Sequence, residues 1–171
     1  HSYEAVKTEP DCTHMGYTTY TCSVCGDTYT VNNDSVVRIG AKGYTTLDAA
    51  LGEAETGDTI VLLKDFDVTT QINVTKSVTI EGAGHTIKAN NTSWPTGDSY
   101  KHLLNIQNTS NVTVKNLTLD SNNQACGNQA FNATDVTFTN VTMKNSPNAG
   151  LLVNRSTVTA NDLTTFGNTW G

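Results

Sequence analysis

Three cysteines and a histidine fall within residues 12–26, CTHMGYTTYTCSVCG, of a 171-residue chain that has one further cysteine, Cys126. Thiols and imidazoles at this density support three kinds of chemistry. Cys22-Ser23-Val24-Cys25 is a C-x-x-C turn, which can deliver two thiolates to a tetrahedral zinc ion from one knuckle, and Gly26 stands where the chain must turn back past the metal. Cys12 supplies a third thiolate. The fourth ligand is His1 or His14: the Cys12-x-His14 pair is cramped for joint tetrahedral ligation, whereas His1 can arrive from a separate strand. Four protein ligands leave no position for water, so such a zinc is structural. The second chemistry is a disulfide from Cys12 to Cys22 or Cys25, which strands one thiol. The third is a dithiol redox centre, which needs the C-x-x-C to open a helix in a βαβ setting that the sequence lacks. An odd cysteine count in one small segment favours zinc.

Catalytic groups are sparse elsewhere. After Glu81 the acids are Asp98, Asp120, Asp135 and Asp162, and the chain's arginines are Arg38 and Arg155. A glycosidase needs paired carboxylates at a set separation, and no such pairing is readable here. His85, in GAGHTI, reads as a turn residue, and His102 precedes an apolar strand without an evident partner. The expectation is no catalytic residue and a role other than turnover. Asn-x-Ser/Thr matches at Asn73, Asn111, Asn116, Asn132 and Asn140 follow from a Thr- and Asn-rich repeat rather than from glycosylation.

The elements that position these groups follow two grammars. Residues 1–34 hold the clustered cysteines, four of the six tyrosines and few aliphatic side chains, so this segment needs a metal or a disulfide to fold. Residues 35–171 read as a second domain. There Leu47, Ala50, Leu51 and Ala54 recur at i, i+3, i+4 and i+7, which predicts a short amphipathic helix, with Thr45 and Asp48 as its capping box and Gly57 as its stop. Beyond it the chain reads as strands and turns. Val112-Thr-Val, Val136-Thr-Phe and Val158-Thr-Ala begin successive units spaced 24 and then 22 residues apart, and SVTIEGAGHTI from Ser77 fits the same template with Gly82 at the Asn position. Periods of this size mean a solenoid whose units bury their apolar faces only by stacking. With strands in each unit it is a parallel β-helix, capped at its N-terminal end by the helix. Asn116, Asn140 and Asp162, each four residues past a leading valine, form the expected turn ladder.

Residues 36–171 resemble the opening of a right-handed parallel β-helix of the pectin lyase-like superfamily. The stretch GYTTLDAALGEAETGDTIVLLKDF, with INVTKSVTIEGAGHTIKA, is similar to the first rungs of large surface proteins of Gram-positive bacteria. The N-terminal segment resembles a repeat of the same proteins through His1, Tyr3, Cys12, Gly16, Tyr17, Tyr20, Cys22, Cys25 and Gly26, which implies a zinc-ribbon-like module with His1, Cys12, Cys22 and Cys25 as ligands. The fold expected is therefore mainly β: a right-handed parallel β-helix with a short capping helix, plus a small zinc-ribbon-like module.

A net charge of −6 argues against nucleic acid as partner, and no long apolar stretch predicts membrane insertion. The resemblance implies an extracellular, cell-surface or secreted adhesive module or stalk. Its expected partners are carbohydrate or a host surface protein, with Trp94 and Tyr100 of the 91–100 insertion as candidate glycan contacts, although Trp94 in such an insertion is more often a packing residue over the coil. The alternatives are a fragment of a polysaccharide-active enzyme, or an assembly element pairing through an open coil end at residues 158–166.

Overall fold

The computed structural model describes residues 2–8, 16–32, 34–92, 94 and 101–170. The first three strands, β1 (Tyr3–Thr8), β2 (Tyr17–Cys22) and β3 (Thr28–Asn32), form an antiparallel sheet in the order β1-β2-β3. Thr and Tyr dominate them, and both suit a pleated surface. Among the described residues of this sheet Val31 is the buried aliphatic side chain, and the packing is aromatic: Tyr20 stacks on Tyr29 with ring centroids 4.8 Å apart, and Tyr3 meets Tyr29 edge-on at 5.1 Å.

This small sheet is fastened to the rest of the chain. Strands β4 (Val37–Ile39) and β5 (Lys42–Tyr44) form a hairpin, and Arg38 lies 4.6 Å over the Tyr29 ring. A Cβ at Gly43 would press on the Ser35 side chain and on Val31, so this close approach requires glycine. Helix α1 (Leu47–Glu53) follows. Leu47, Ala50, Leu51 and Ala54 are all buried, as the periodicity predicts. The cap differs by one residue: Thr46, not Thr45, accepts the Ala49 N–H at 3.1 Å, and the helix ends at Ala54, ahead of Gly57. Both threonines can accept, and a shift of one residue decides which of them does.

The remaining strands coil. They are β6 (Thr59–Leu62), β7 (Phe66–Val68), β8 (Ile72–Val74), β9 (Thr79–Glu81), β10 (Thr86–Ala89), β11 (Leu104–Gln107), β12 (Ser110–Asp120), β13 (Asn128–Phe131), β14 (Thr134–Lys144), β15 (Leu151–Asn154) and β16 (Val158–Phe166). Three parallel stacks result. One joins β6, β9 and the first halves of β12, β14 and β16; a second joins β7, β10 and the second halves of those strands; a third joins β8, β11, β13 and β15. The chain is thus a β-solenoid of about four turns. Val112, Val136 and Val158 stand in register, as the repeat predicts.

Inward columns fill the interior. Ile60, Ile80, Val114 and Phe138 follow one another through successive turns and are at most 1% exposed. Each such side chain contributes about 1.5–3 kcal/mol by burial, but only because a neighbouring turn covers it. Outward columns are equally regular. Thr59, Thr79, Thr113, Thr137 and Thr159 align, and so do Asp67, Lys88, Asp120 and Lys144. Parallel in-register stacking sets each residue beside its equivalent, so a conserved charge would repel itself; alternating signs turn that repulsion into attraction. Helix α1 and the β4–β5 hairpin sit at the N-terminal end, with β4 pairing antiparallel to β6. Among the described residues no helix is long and apolar enough to cross a membrane.

Candidate functional site

Of the four candidate zinc ligands, Cys22 and Cys25 lie among the described residues, while His1 and Cys12 lie outside them, as does the alternative His14. Cys22 ends β2 and is buried; Cys25 is exposed. Between them the chain makes a tight turn in which the Gly26 N–H donates to the Cys22 carbonyl at 3.0 Å, with Gly26 at φ 73°. The backbone N–H groups of Cys25 and Val24 point at the Cys22 sulfur and hold its pKa below the ordinary thiol range against the opposing effect of burial. Donors aimed at sulfur are what a knuckle needs when it holds a thiolate, so the donor set fits a soft divalent metal. Among the described residues no group of three or more potential metal ligands gathers, and the strands around the knuckle form a plain antiparallel meander.

The expected ladder residues share one backbone state. Asn116, Asn140 and Asp162 have φ of 52°, 52° and 57°, the left-handed conformation that Asn and Asp tolerate best after glycine. There each long strand turns the corner from the first stack to the second. Asn140 Nδ2 donates to Asn116 Oδ1 at 2.9 Å, and Asn116 Nδ2 donates to both Glu81 carboxylate oxygens at 3.0 and 3.1 Å. Asp162 occupies the column without joining the bonded run, because a carboxylate cannot donate to Asn140 Oδ1. Glu81 takes the lowest place instead. Gly82 stands at the Asn position, as the sequence predicts, because a Cβ there would collide with the Asn116 carbonyl and with Leu117.

Two further features escaped the sequence reading. Asn132 Nδ2 donates to Asn108 Oδ1 at 2.8 Å, a second ladder at another corner, which Arg155 continues at φ 50°. A shared 24-residue spacing, the same as that between Asn116 and Asn140, was its signal. The second is a recurring arrangement in which a Lys-Asn pair sits over a carboxylate. Lys115 Nζ lies 3.3 Å from Glu81 while Asn116 bonds it, and Lys144 Nζ lies 3.4 Å from Asp120 while Asn145 Nδ2 donates to it at 2.9 Å. Burial alone would push both carboxyls up. For Glu81 the Ala83 N–H with Asn116 and Lys115, and for Asp120 Asn145 with the Asn122 N–H and Lys144, outweigh it and hold each below the usual carboxylate range.

The glycan-contact candidates have different fates. Trp94 is 4% exposed, packs with the core, and donates Nε1–H to the Lys101 carbonyl at 2.8 Å. No face of its ring is open to a sugar, so of the two roles its sequence position offers, packing over the coil is the one it takes. Tyr100 lies outside the described residues. His85 Nδ1 lies 3.1 Å from Asp65, and the Thr86 N–H together with His85 holds that carboxyl below its usual range. His102 is buried with an unpartnered Nδ1, and burial pushes its pKa down against the Cys126 carbonyl. Most of β16 is exposed, with Val158 and Leu163 half-buried against the core, and Leu152, Val153 and Trp170 are exposed beside it.

Comparison with curated proteins and with solved structures found no match. A family profile described as "Putative pectate lyase-like adhesive domain" matches residues 40–170. Because this match covers well over half of the chain and every turn of the solenoid, the chain belongs to the pectate lyase-like adhesive domain family.

Proposed function

We propose that the chain is a non-catalytic adhesive module of a bacterial cell-wall or secreted protein, a right-handed β-helical stalk that holds carbohydrate or a host surface protein. The observation that carries this reading is the family match across the whole solenoid, since an adhesive domain belongs at or outside the cell surface. The outward columns support it. Rows of Thr hydroxyls and alternating charges give a long, regular, polar wall suited to contact along its length.

The same reading gives the N-terminal sheet a structural zinc ion, held by Cys22 and Cys25 of the knuckle with His1 and Cys12. The ion supplies a rigid tetrahedral crosslink where the sheet, among the described residues, buries little aliphatic surface. The sulfur-directed N–H groups of Val24 and Cys25 support this assignment. The C-terminal face, residues 158–166, serves in this reading as continuation of the stack rather than as the contact surface.

Beads coated with the purified chain, presented to immobilised mucin, plant cell-wall polysaccharide and matrix proteins, test the function. Saturable adhesion blocked by soluble chain, without release of reducing or unsaturated sugar, is the expected result. Steady turnover of any polysaccharide overturns the non-catalytic reading, and absence of adhesion to all of these surfaces overturns the adhesive one.

A further inference from the structure

Strand β7 is the shortest run of the second stack and its first member. It pairs with β10 on one edge, and among the described residues no strand pairs with the other. On that free edge a cleft of about 170 Å³ opens between β7 and the chain entering α1, lined in part by Thr45, Asp48, Phe66, Asp67, Thr69 and Thr70. A more open depression lies on the other side, over β10, and shares Phe66 and Asp67 with the cleft while adding Asp65, Thr86 and Lys88. The two hollows therefore form one continuous surface with β7 as its ridge.

The chemistry of this surface is unusual for a solenoid wall. Phe66, in register with buried Ile87, packs partly against the core and presents the rest of its side chain to the cleft at the end of the coil, while Asp67 faces outward to the depression. Asp67 accepts from Asn90 Nδ2 at 2.6 Å through Oδ2, which leaves Oδ1 available. Among the described residues no side chain or backbone N–H donates a hydrogen bond to Asp48, and desolvation pushes its pKa up. A negative charge in the first helical turn suits the helix dipole, but that accounts neither for the threonine hydroxyls around it nor for the aromatic ring opposite. The helix terminus is itself satisfied by Thr46 and takes no part.

We infer that this surface is a saccharide subsite, taking one uncharged pyranose ring in the cleft, with the attached sugar chain crossing the depression. The inference deepens the adhesive reading and rests on it. An aromatic ring offers a platform for the apolar face of a sugar, carboxylates accept from vicinal hydroxyls, and threonines with a free strand edge both donate and accept. The cleft takes one ring, and the more open depression beside it takes the attached sugar chain. Its charge selects the class: three aspartates face a single lysine across the two hollows, so a uronate or sulfated sugar is repelled.

The test is amide NMR of the full chain titrated with the methyl glycosides of glucose, galactose, mannose and N-acetylglucosamine, and with galacturonic acid. Saturable shifts confined to residues 45–48 and 66–70 with at least one neutral glycoside are expected, weakened at least about tenfold in D67N and D48N, with no response to galacturonic acid. No saturable shift at those amides, or an equal response to galacturonic acid, overturns the subsite. The bead assay separates the two failures. If D48N and D67N beads adhere as well as the parent, the adhesive reading stands and the subsite falls; if parent beads do not adhere, the adhesive reading falls as well.

Discussion

Asn140 Nδ2 donates to Asn116 Oδ1 at 2.9 Å, and this single bond gives the ladder a direction. Glu81 at the base can only accept, so Asn116 must turn its amide nitrogen toward Glu81 and its oxygen toward Asn140. Asn140 must then repeat that orientation. A polar run between turns is thus oriented by the one charged residue at its start.

Two substitutions at Asn140 separate the bond from the backbone. Asn140→Gly keeps the left-handed φ without strain and loses one exposed hydrogen bond, so it should destabilise by about 1 kcal/mol. Asn140→Ala loses the bond and also holds a Cβ in the left-handed region, for about 2 kcal/mol in total. Urea unfolding midpoints measure both. Equal losses in the two variants would remove the backbone argument.

Gly82→Ala tests the same corner from the other side. The added Cβ meets the Asn116 carbonyl and the Leu117 backbone rather than a flexible side chain, so the turns must separate. A loss of about 3 kcal/mol or more is expected, larger than for alanine at exposed Gly52, where nothing lies within contact distance. Thermal unfolding of the two variants decides it.

Acid should weaken the solenoid through Glu81 and Asp120. Both carboxyls titrate lower in the folded chain than in the unfolded one. Their contribution is therefore fully present above the unfolded values of about 4.3 and 3.9, and is lost as pH falls through the lower folded values. Urea midpoints should be flat above about pH 5 and drop below about pH 4. E81Q and D120N should each flatten that drop. An unchanged acid profile in the double variant would assign the loss to other groups.

Much of this was legible in the chain, for physical reasons. Val112, Val136 and Val158 announce the turns because every turn must present an apolar residue at the same place. Helix α1 was legible because its three buried residues, Leu47, Ala50 and Leu51, and its C-cap Ala54 keep helical spacing. Glu81 was not, since it reaches the ladder from a strand position one residue before the glycine that holds the Asn place. Trp94 was only partly legible, because an aromatic residue in a polar insertion reads as packing over the coil more readily than as a sugar contact, and its placement over the core decides between the two. The aromatic meander of residues 2–32 gives no periodic apolar signal, because its tyrosines pack on one another.

The zinc assignment has its own measurement. Native mass spectrometry of the chain should show one zinc, lost on denaturation without reductant, with all four thiols then free to alkylate. Cys22→Ser should abolish binding and loosen the N-terminal sheet, leaving the solenoid's unfolding transition in place. A metal-free species whose mass is lowered by one disulfide would replace zinc with an oxidative staple.

Asp162→Asn is the substitution that should add stability. The register sets Asp162 opposite Asn140 in the column, and a carboxylate there has no proton to give the Asn140 amide oxygen. Asn at this position keeps the left-handed φ of 57° at no strain and supplies the missing N–H, extending the run from Glu81 by one member. The column is exposed here, so the gain is modest, about 0.5 kcal/mol. It should vanish in the Asn140→Gly background, because the acceptor is then gone. A double-mutant cycle of the two changes read by urea midpoints measures that coupling, and additivity would show that the ladder ends at Asn140 for reasons other than the direction of its bonds.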